Sequence, residues 1–374
     1  MDAPSLFLVC PPGLEAVLAE EAAALGLADP RPLPGGVAVS GGLAAARRAN
    51  LGLRTATRVL LRVAAFRALH LAQLDKRARR VDWAALLRAD YPFSVEASCK
   101  ASRIYHQGAA SQRVARAIAE ATGATEARGA GPEAALKVTV RIEDDLATLS
   151  LDTSGAPLHR RGYKQAIGPA PLRETLAAAC LRLAAYDGRE AVVDPMCGSG
   201  TFVIEAAEIA AGLAPGRARP FAFENLAAQD PAGWTAERAG PAPSVPEVPG
   251  FFGADRDAGA VAMSRENAAR SGVAATTRFA CHAISDLTPP DTAPGLVIVN
   301  PPYGARIGER QALGPLYAAL GRVLTERFGG WRVALVTSEA GLARATALPF
   351  AAPSPPISHG GLKVRLWQTA PLKA

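Results

Sequence analysis

Asn300-Pro301-Pro302-Tyr303-Gly304 is the stretch of this chain best equipped for chemistry. It follows an apolar run, Leu296-Val297-Ile298-Val299, that reads as a buried strand. Pro301 and Pro302 hold φ near −65° and donate no backbone hydrogen bonds, so the turn is stiff. A stiff turn can aim the Asn300 side-chain oxygen and the Pro301 carbonyl at one point. Two converging acceptors suit a planar exocyclic amine, which offers two N–H donors. The Tyr303 ring then supplies a surface on which a nucleobase can stack. Taken alone, these residues also read as an ordinary turn after a strand, because Asn-Pro commonly starts turns.

A second constellation lies upstream. Ala191-Val192-Val193 reads as a short buried strand, Asp194-Pro195-Met196-Cys197-Gly198-Ser199-Gly200-Thr201 as a glycine loop, and Phe202 to Ala210 as a helix. Strand, glycine loop and helix open a nucleotide-binding α/β unit, in which Gly lets the backbone approach a ligand closely. The loop is not GxGxxG and lacks the Lys of a P-loop, which argues against dinucleotides and triphosphates. The next strand, Phe251-Phe252-Gly253-Ala254-Asp255, ends in an acid. A carboxylate there can accept both hydroxyls of a ribose; the other reading of Asp255 is a helix N-cap. The following helix starts near Asp257, runs through Ser264 and Asn267 to Arg270, and stops at Gly272.

With these three motifs in this order and spacing, the chain resembles the class I S-adenosylmethionine-dependent methyltransferases that modify exocyclic amines. Among them it is most similar to the THUMP-domain RNA guanine-N2 methyltransferases, in particular the N-terminal methyltransferase half of bacterial 23S rRNA enzymes. Leu158-His159-Arg160-Arg161-Gly162-Tyr163, Pro171 to Ala179 and Phe328-Gly329-Gly330-Trp331 extend the match over almost the whole chain. The resemblance implies S-adenosylmethionine as cofactor and Asn300, Pro301, Pro302 and Tyr303 as the catalytic turn. It implies that Asp194, Pro195, Cys197, Gly198, Ser199, Gly200, Thr201 and Asp255 bind the cofactor. Family members usually offer an acid to the adenine amine after the third strand. Here His282 or Ala283 stands near that slot, leaving Asp286 or a backbone carbonyl for the contact.

These sites need elements to position them. The resemblance implies a ferredoxin-like domain over residues 1–65, a THUMP domain over 66–152, a connector over 153–172 and a Rossmann-like methyltransferase domain over 173–374. The fold class is therefore α/β: a doubly wound sheet preceded by an α+β region. Strands are expected over Leu6–Cys10, Val37–Ser40, Thr57–Ala65, Phe93–Cys99, Leu136–Ile142 and Leu146–Leu151. Helices are expected over Leu14–Leu25, with Glu15, Glu20 and Glu21 outward, over Leu43–Leu51, near Asp82–Leu87 and over Ala109–Ala121. Later come a helix over Leu313–Phe328 and strands over Trp331–Thr337 and Leu362–Gln368, the last closing a hairpin that turns at His359-Gly360. Residues 212–250, rich in Pro and Gly around Phe221-Ala222-Phe223-Glu224, read as a flap beside the cofactor or RNA. A Trp is common soon after that core in the family, and Leu226 stands in that region here.

Bulk properties fit a nucleic-acid substrate. Of the chain's formal charge of +7, residues 1–170 carry +6, so a basic accessory region precedes a near-neutral catalytic one. Lys100, Arg103, Gln112, Arg113 and Arg116 flank a strand-to-helix turn and are candidates for phosphate contacts. Arg161 and Tyr163, which the resemblance places near the catalytic face with Glu174 on the next helix, join them as RNA-binding candidates. Arg, Asp or Glu interrupts every Ala/Leu-rich stretch, so no membrane span is expected, and the N-terminus does not read as a signal peptide. Five scattered cysteines without a CxxC pair suit free thiols in a reducing cytoplasm and no bound metal.

The chemistry expected is methyl transfer to the N2 amine of a guanine in 23S rRNA, with tRNA as the rival substrate. Adenine-N6 methylation is a further rival, because Asn-Pro-Pro-Tyr serves there too. An RNA-binding or assembly protein with a lapsed site is opposed by the intact motifs. No strong base is needed, so the five His residues need no catalytic role. Related enzymes can be fused to a second methyltransferase domain; one such domain is read here, so one activity is expected. Oligomeric state is open.

Overall fold

The computed structural model describes residues 5–127, 129, 134–165, 172–239, 250–303 and 307–373. The chain forms two compact units: Met1–Cys10, Leu18–Leu158 and Arg219–Gly240 make the first, Pro11–Val17, His159–Ala218 and Pro241–Ala374 the second. In chain order the elements are β1 (Ser5–Val9), α1 (Glu15–Ala24), β2 (Ala28–Leu33), β3 (Gly36–Ser40), α2 (Leu43–Gly52), β4 (Arg58–Arg67), α3 (Leu71–Ala78), β5 (Phe93–Lys100), α4 (Gln107–Thr122), β6 (Leu136–Glu143) and β7 (Leu146–Asp152). Then follow α5 (Glu174–Leu183), β8 (Val192–Asp194), α6 (Thr201–Ala210), α7 (Pro231–Ala239), β9 (Phe251–Asp255), α8 (Ala258–Ser271) and β10 (Thr277–Cys281). The chain closes with β11 (Leu296–Val299), α9 (Ile307–Arg327), β12 (Arg332–Thr337), α10 (Ala340–Ala345), β13 (Ile357–His359) and β14 (Leu362–Gln368).

The first unit holds one seven-stranded sheet in the order β2-β3-β1-β4-β7-β6-β5. Only β5 and β6 run parallel; the other neighbours are antiparallel. Alternating apolar residues such as Leu6 and Leu8 fill one face. β4 pairs with β1 through Arg58–Arg62 and with β7 through Leu60–Arg67, so the sheet continues across residue 65 inside a strand.

In the first unit three local expectations differ from the structure. Glu21 does not point outward: it is 3% exposed and accepts hydrogen bonds from the Arg54 and Thr55 amides and the Thr55 hydroxyl. The Asp82–Leu87 stretch is a series of turns, and the helix lies earlier, at α3. Trp83 explains this, because its fully buried ring and its Nε1 donation to the Ala78 carbonyl (2.9 Å) seat the segment against the end of α3. Residues 219–239 fold into the first unit rather than forming a flap. Phe221, Phe223 and Trp234 pack together with centroids 4.8–5.8 Å apart, so the aromatic partner is Trp234 and not a residue near Leu226. Arg219, 4% exposed, donates to the carbonyls of Ser154, Ala156 and Pro157. Residues 240–249 of that stretch lie outside the described residues, as do residues 166–171 of the connector and Gly304.

The second unit is a doubly wound sheet in the order β10-β9-β8-β11-β12-β14-β13. β10 to β12 are parallel and β14 runs antiparallel beside β12. Strand order reverses between β8 and β11, and in such sheets ligands bind outside the C-terminal strand ends at that switch point. β8 and β11 are wholly buried runs, as expected of parallel strands covered on both faces. The closing hairpin turns on Gly360 and Gly361, with φ of 56° and 84°, while His359 pairs with Leu362 inside the ladder. The turn is thus a Gly-Gly pair suited to type I′, one residue later than expected.

Candidate active site

The glycine loop leaves the C-terminal end of β8 and is held from several sides. Asp194, 3% exposed, accepts from the Met196 amide at 3.1 Å, and burial pushes its carboxyl up to about 8. The Cys197 amide donates to the Ala254 carbonyl on β9 at 2.8 Å. Cys197 itself is 6% exposed, and burial raises its thiol far above the usual range, which removes it as a nucleophile. Gly198 and Gly200 adopt φ of 54° and 82°. A side-chain carbon on Gly198 would meet no atom within 4 Å, whereas one on Gly200 would stand 3.1 Å from Ser264.

Helix α8 grips the same loop through its carbonyls. Ser264 Oγ donates to Gly198 O at 2.8 Å, and Asn267 Nδ2 donates to Ser199 O at 3.1 Å. Arg270 donates to Asn267 Oδ1 at 2.6 Å and to the Tyr163 carbonyl at 2.8 Å. From the other side Lys164 Nζ donates to Thr201 Oγ1 at 2.8 Å and to Leu172 O at 2.9 Å, and pairs with Glu174 at 3.4 Å. Ser264, Asn267 and Arg270 recur every third residue on one helix face, a polar stripe that sequence reasoning could have read as facing the loop.

Asp255 sits at the end of β9 with both oxygens engaged. Oδ2 accepts from the Gly198 amide and Oδ1 from the Asp257 amide, each at 3.0 Å. The cap of α8 is Asp257, which accepts from Gly259 at 2.8 Å, so Asp255 is not the N-cap. Asp286 ends a single 3-10 turn, Ile284–Asp286, just after β10; it is exposed, and its carboxylate accepts from the Ser285 hydroxyl at 3.3 Å.

The Asn300 turn leaves β11 on the other side of β8. Asn300 Oδ1 is buried and has no hydrogen-bond partner among the described residues. Tyr303 is half-buried against the core cluster of β11, α9 and β12, and burial raises its hydroxyl above the ordinary range. The fully buried Tyr317 of α9 donates from its hydroxyl to the Pro302 carbonyl at 3.2 Å.

The RNA-contact candidates divide. Arg161 and Tyr163 are buried, 2% and 3% exposed, and Arg161 faces Glu205 at 3.5 Å. They present no surface to a polymer, because their side chains support the second unit's interior. In the first unit Lys100 is exposed but pairs with Glu143 at 3.0 Å. Arg116 pairs with Asp75 at 3.1 Å and with Glu120 at 3.8 Å. Arg103 and Gln112 are exposed and Arg113 is half-buried. No group of three or more metal-ligating side chains occurs among the described residues, and no described helix is long and apolar enough to cross a membrane.

Residues 161–350 match the family described as an RMKL-like methyltransferase domain, and residues 5–60 match the RlmL ferredoxin-like domain. A ribosomal RNA large subunit methyltransferase K/L of Syntrophotalea carbinolica is 38% identical over 370 residues, covering 92% of this chain and 50% of that protein. The chain thus spans about half the length of the K/L relatives it matches. A Synechocystis protein, slr0064, provisionally named an RNA methyltransferase, is 32% identical over 362 residues, covering 95% of this chain and 93% of its own. Among solved structures, SMU.472, provisionally named a methyltransferase and complexed with SAH, superposes with a TM-score of 0.87 at 27% identity, covering 100% of both chains.

Proposed function

We propose that this chain, which belongs to the RMKL-like methyltransferase family, methylates the exocyclic N2 amine of a guanine in 23S rRNA. The cofactor is S-adenosylmethionine. The observation that carries the reading is Asn300 Oδ1, a buried acceptor without a partner among the described residues, at the sheet's switch point. A buried acceptor left unpaired costs about 1–3 kcal/mol, and an incoming amine N–H relieves that cost. The K/L relatives, named for methylation of large-subunit ribosomal RNA, support the polymer.

The residues present fit the cofactor. Gly198 leaves open space where any other residue would place a carbon, and Asp255 lies beside it with its carboxylate already oriented by two amides. Asp255 would accept from the ribose hydroxyls, the 194–201 loop would follow the amino-acid portion, and Asp286 or a neighbouring carbonyl would meet the adenine amine. When bound, the cofactor supplies an activated methyl group on its sulfonium.

The chain's own residues then handle the nucleophile. An exocyclic guanine amine is weakly nucleophilic because its lone pair is delocalised into the ring. Asn300 Oδ1 and the Pro301 carbonyl accept its two N–H bonds, favour a pyramidal nitrogen and stabilise the positive charge that forms there. Tyr303 stacks on the base and fixes its plane. After transfer the nitrogen is acidic and releases its proton to water, so no side-chain base is required.

The first unit, on this reading, holds the RNA: residues 1–65 as a ferredoxin-like domain, 66–152 as a THUMP domain, with 153–172 connecting to the catalytic region. Lys100, Arg103, Arg113 and Arg116 are the proposed phosphate contacts, the first and last by exchanging an acidic neighbour for a phosphate. An rRNA substrate sets the activity in the cytoplasm. The test is nucleoside mass spectrometry after incubating the protein and S-adenosylmethionine with rRNA and with tRNA from a strain lacking the enzyme. N2-methylguanosine in 23S rRNA supports the proposal. The same nucleoside in tRNA alone changes the polymer, and N6-methyladenosine overturns the base.

A further inference from the structure

The geometry points to Tyr317 as the positioning residue of the Asn300–Tyr303 turn, holding it in the shape that receives the target base. This rests on the reading of that turn as the amine site. The turn contains two consecutive prolines, so neither Pro301 nor Pro302 has an amide hydrogen with which to tie itself to the sheet. Any such tie must come from a donor outside the turn. Tyr317 supplies one: its hydroxyl donates to the Pro302 carbonyl at 3.2 Å.

Tyr317 is built for this and for little else visible in the fold. It is 0% exposed, within a cluster that includes Val297, Val299, Leu320 and Leu335. A phenyl ring would fill the same space, and a buried hydroxyl is costly unless paired. Burial pushes the hydroxyl up to about 12, so it remains a protonated donor at working pH; the side chain of Thr337, also 0% exposed, acts on it in the opposite sense. The carbonyl it holds belongs to the peptide that joins Pro302 to Tyr303. Fixing that peptide plane fixes the direction in which the Tyr303 ring leaves the chain and, through the stiff prolines, the aim of Asn300.

The experiment compares Tyr317→Phe with the wild-type chain, using S-adenosylmethionine and 23S rRNA, alongside calorimetry with S-adenosylhomocysteine and hydrogen exchange at the Tyr303 amide. A small misplacement of reacting groups can lower rate by up to about a hundredfold. The expected result is a kcat lower by about tenfold or more, with KM for S-adenosylmethionine and affinity for S-adenosylhomocysteine changed by less than about twofold. The Tyr303 amide exchanges faster, and in an Asn300→Ala background Tyr317→Phe adds almost no further loss. Thr337→Val is the second variant and gives a smaller loss of the same kind. Unchanged kcat and unchanged Tyr303 exchange in Tyr317→Phe would overturn the proposal, as would a loss in both variants that follows only a lowered melting temperature. If the wild-type chain methylates no RNA, the functional reading fails instead, and the Tyr303 exchange still decides whether Tyr317 tethers the turn.

Discussion

Asp255 and Asn300 stand at the same height on either side of β8. The parallel register sets Asp194 opposite Gly253 on β9 and Val193 opposite Val297 on β11, so each residue lies two positions beyond the level of Asp194. Strands neighbour each other at about 4.8 Å, which separates the two backbones by roughly 9.5 Å across β8. The carboxylate proposed for a ribose and the amide proposed for an amine thus stand level on the two strands flanking β8, at a spacing that a nucleoside and its substituent can bridge.

Replacing Asp255 by Asn tests the first half of that arrangement. Both carboxylate oxygens already accept backbone amides, and an Asn side chain would turn an NH2 group toward one of them. Hydrogen bonds to a charged group contribute about 1.5–3 kcal/mol. Calorimetry should therefore show S-adenosylhomocysteine affinity reduced about 10- to 100-fold, with circular dichroism unchanged.

The two loop glycines should respond differently to Ala. Both carry positive φ, which costs an L-residue about 1–2 kcal/mol. Gly200→Ala also drives a methyl to 3.1 Å from Ser264, while Gly198→Ala meets no protein atom within 4 Å. Thermal melting should fall further in Gly200→Ala. Cofactor affinity should fall further, relative to stability, in Gly198→Ala, because its methyl enters the space assigned to the ligand.

Arg161→Ala should act on folding rather than on RNA. The guanidinium is 2% exposed and faces Glu205, which is 0% exposed. Removing one member of a buried pair costs about 3–5 kcal/mol. Denaturant unfolding should show that loss, while RNA affinity per folded molecule stays at the wild-type value.

Asp194 predicts a pH dependence of stability. Its folded-state value is near 8, against about 3.9 for an unfolded Asp. Between those values the native state holds a proton that the unfolded chain has released, so stability is fully present below about 4 and declines as pH rises toward 8. Urea midpoints measured from pH 5 to pH 9 should fall for the wild-type chain relative to Asp194→Asn; parallel curves would contradict the assignment.

Much of the second unit was legible because its signals are local. The helix after Asp255 carries its own cap in Asp257 and its own stop in Gly272, and the structure uses both. The runs Phe251–Asp255 and Leu296–Val299 are strands with the boundaries expected. β2 was missed because Ala28-Asp29-Pro30-Arg31-Pro32-Leu33 carries two prolines, which a sheet tolerates only at an edge, and the edge is where β2 lies. Burial was the other blind spot. Glu21, Arg161 and Tyr163 have the types of surface residues, and only tertiary partners bring them inside. Tyr317 looks like any aromatic on the apolar face of a helix, and its hydroxyl bond to Pro302 is a relation that sequence spacing does not encode.

The most direct test of the whole account is the single-turnover rate of methyl transfer to 23S rRNA by Asn300→Ala, with S-adenosylhomocysteine affinity measured on the same preparation. Loss of a preorganised group at developing charge should lower the rate by about a hundredfold or more, with affinity within about twofold of wild type. An Asn300→Ala protein that forms N2-methylguanosine at the wild-type rate would contradict the account.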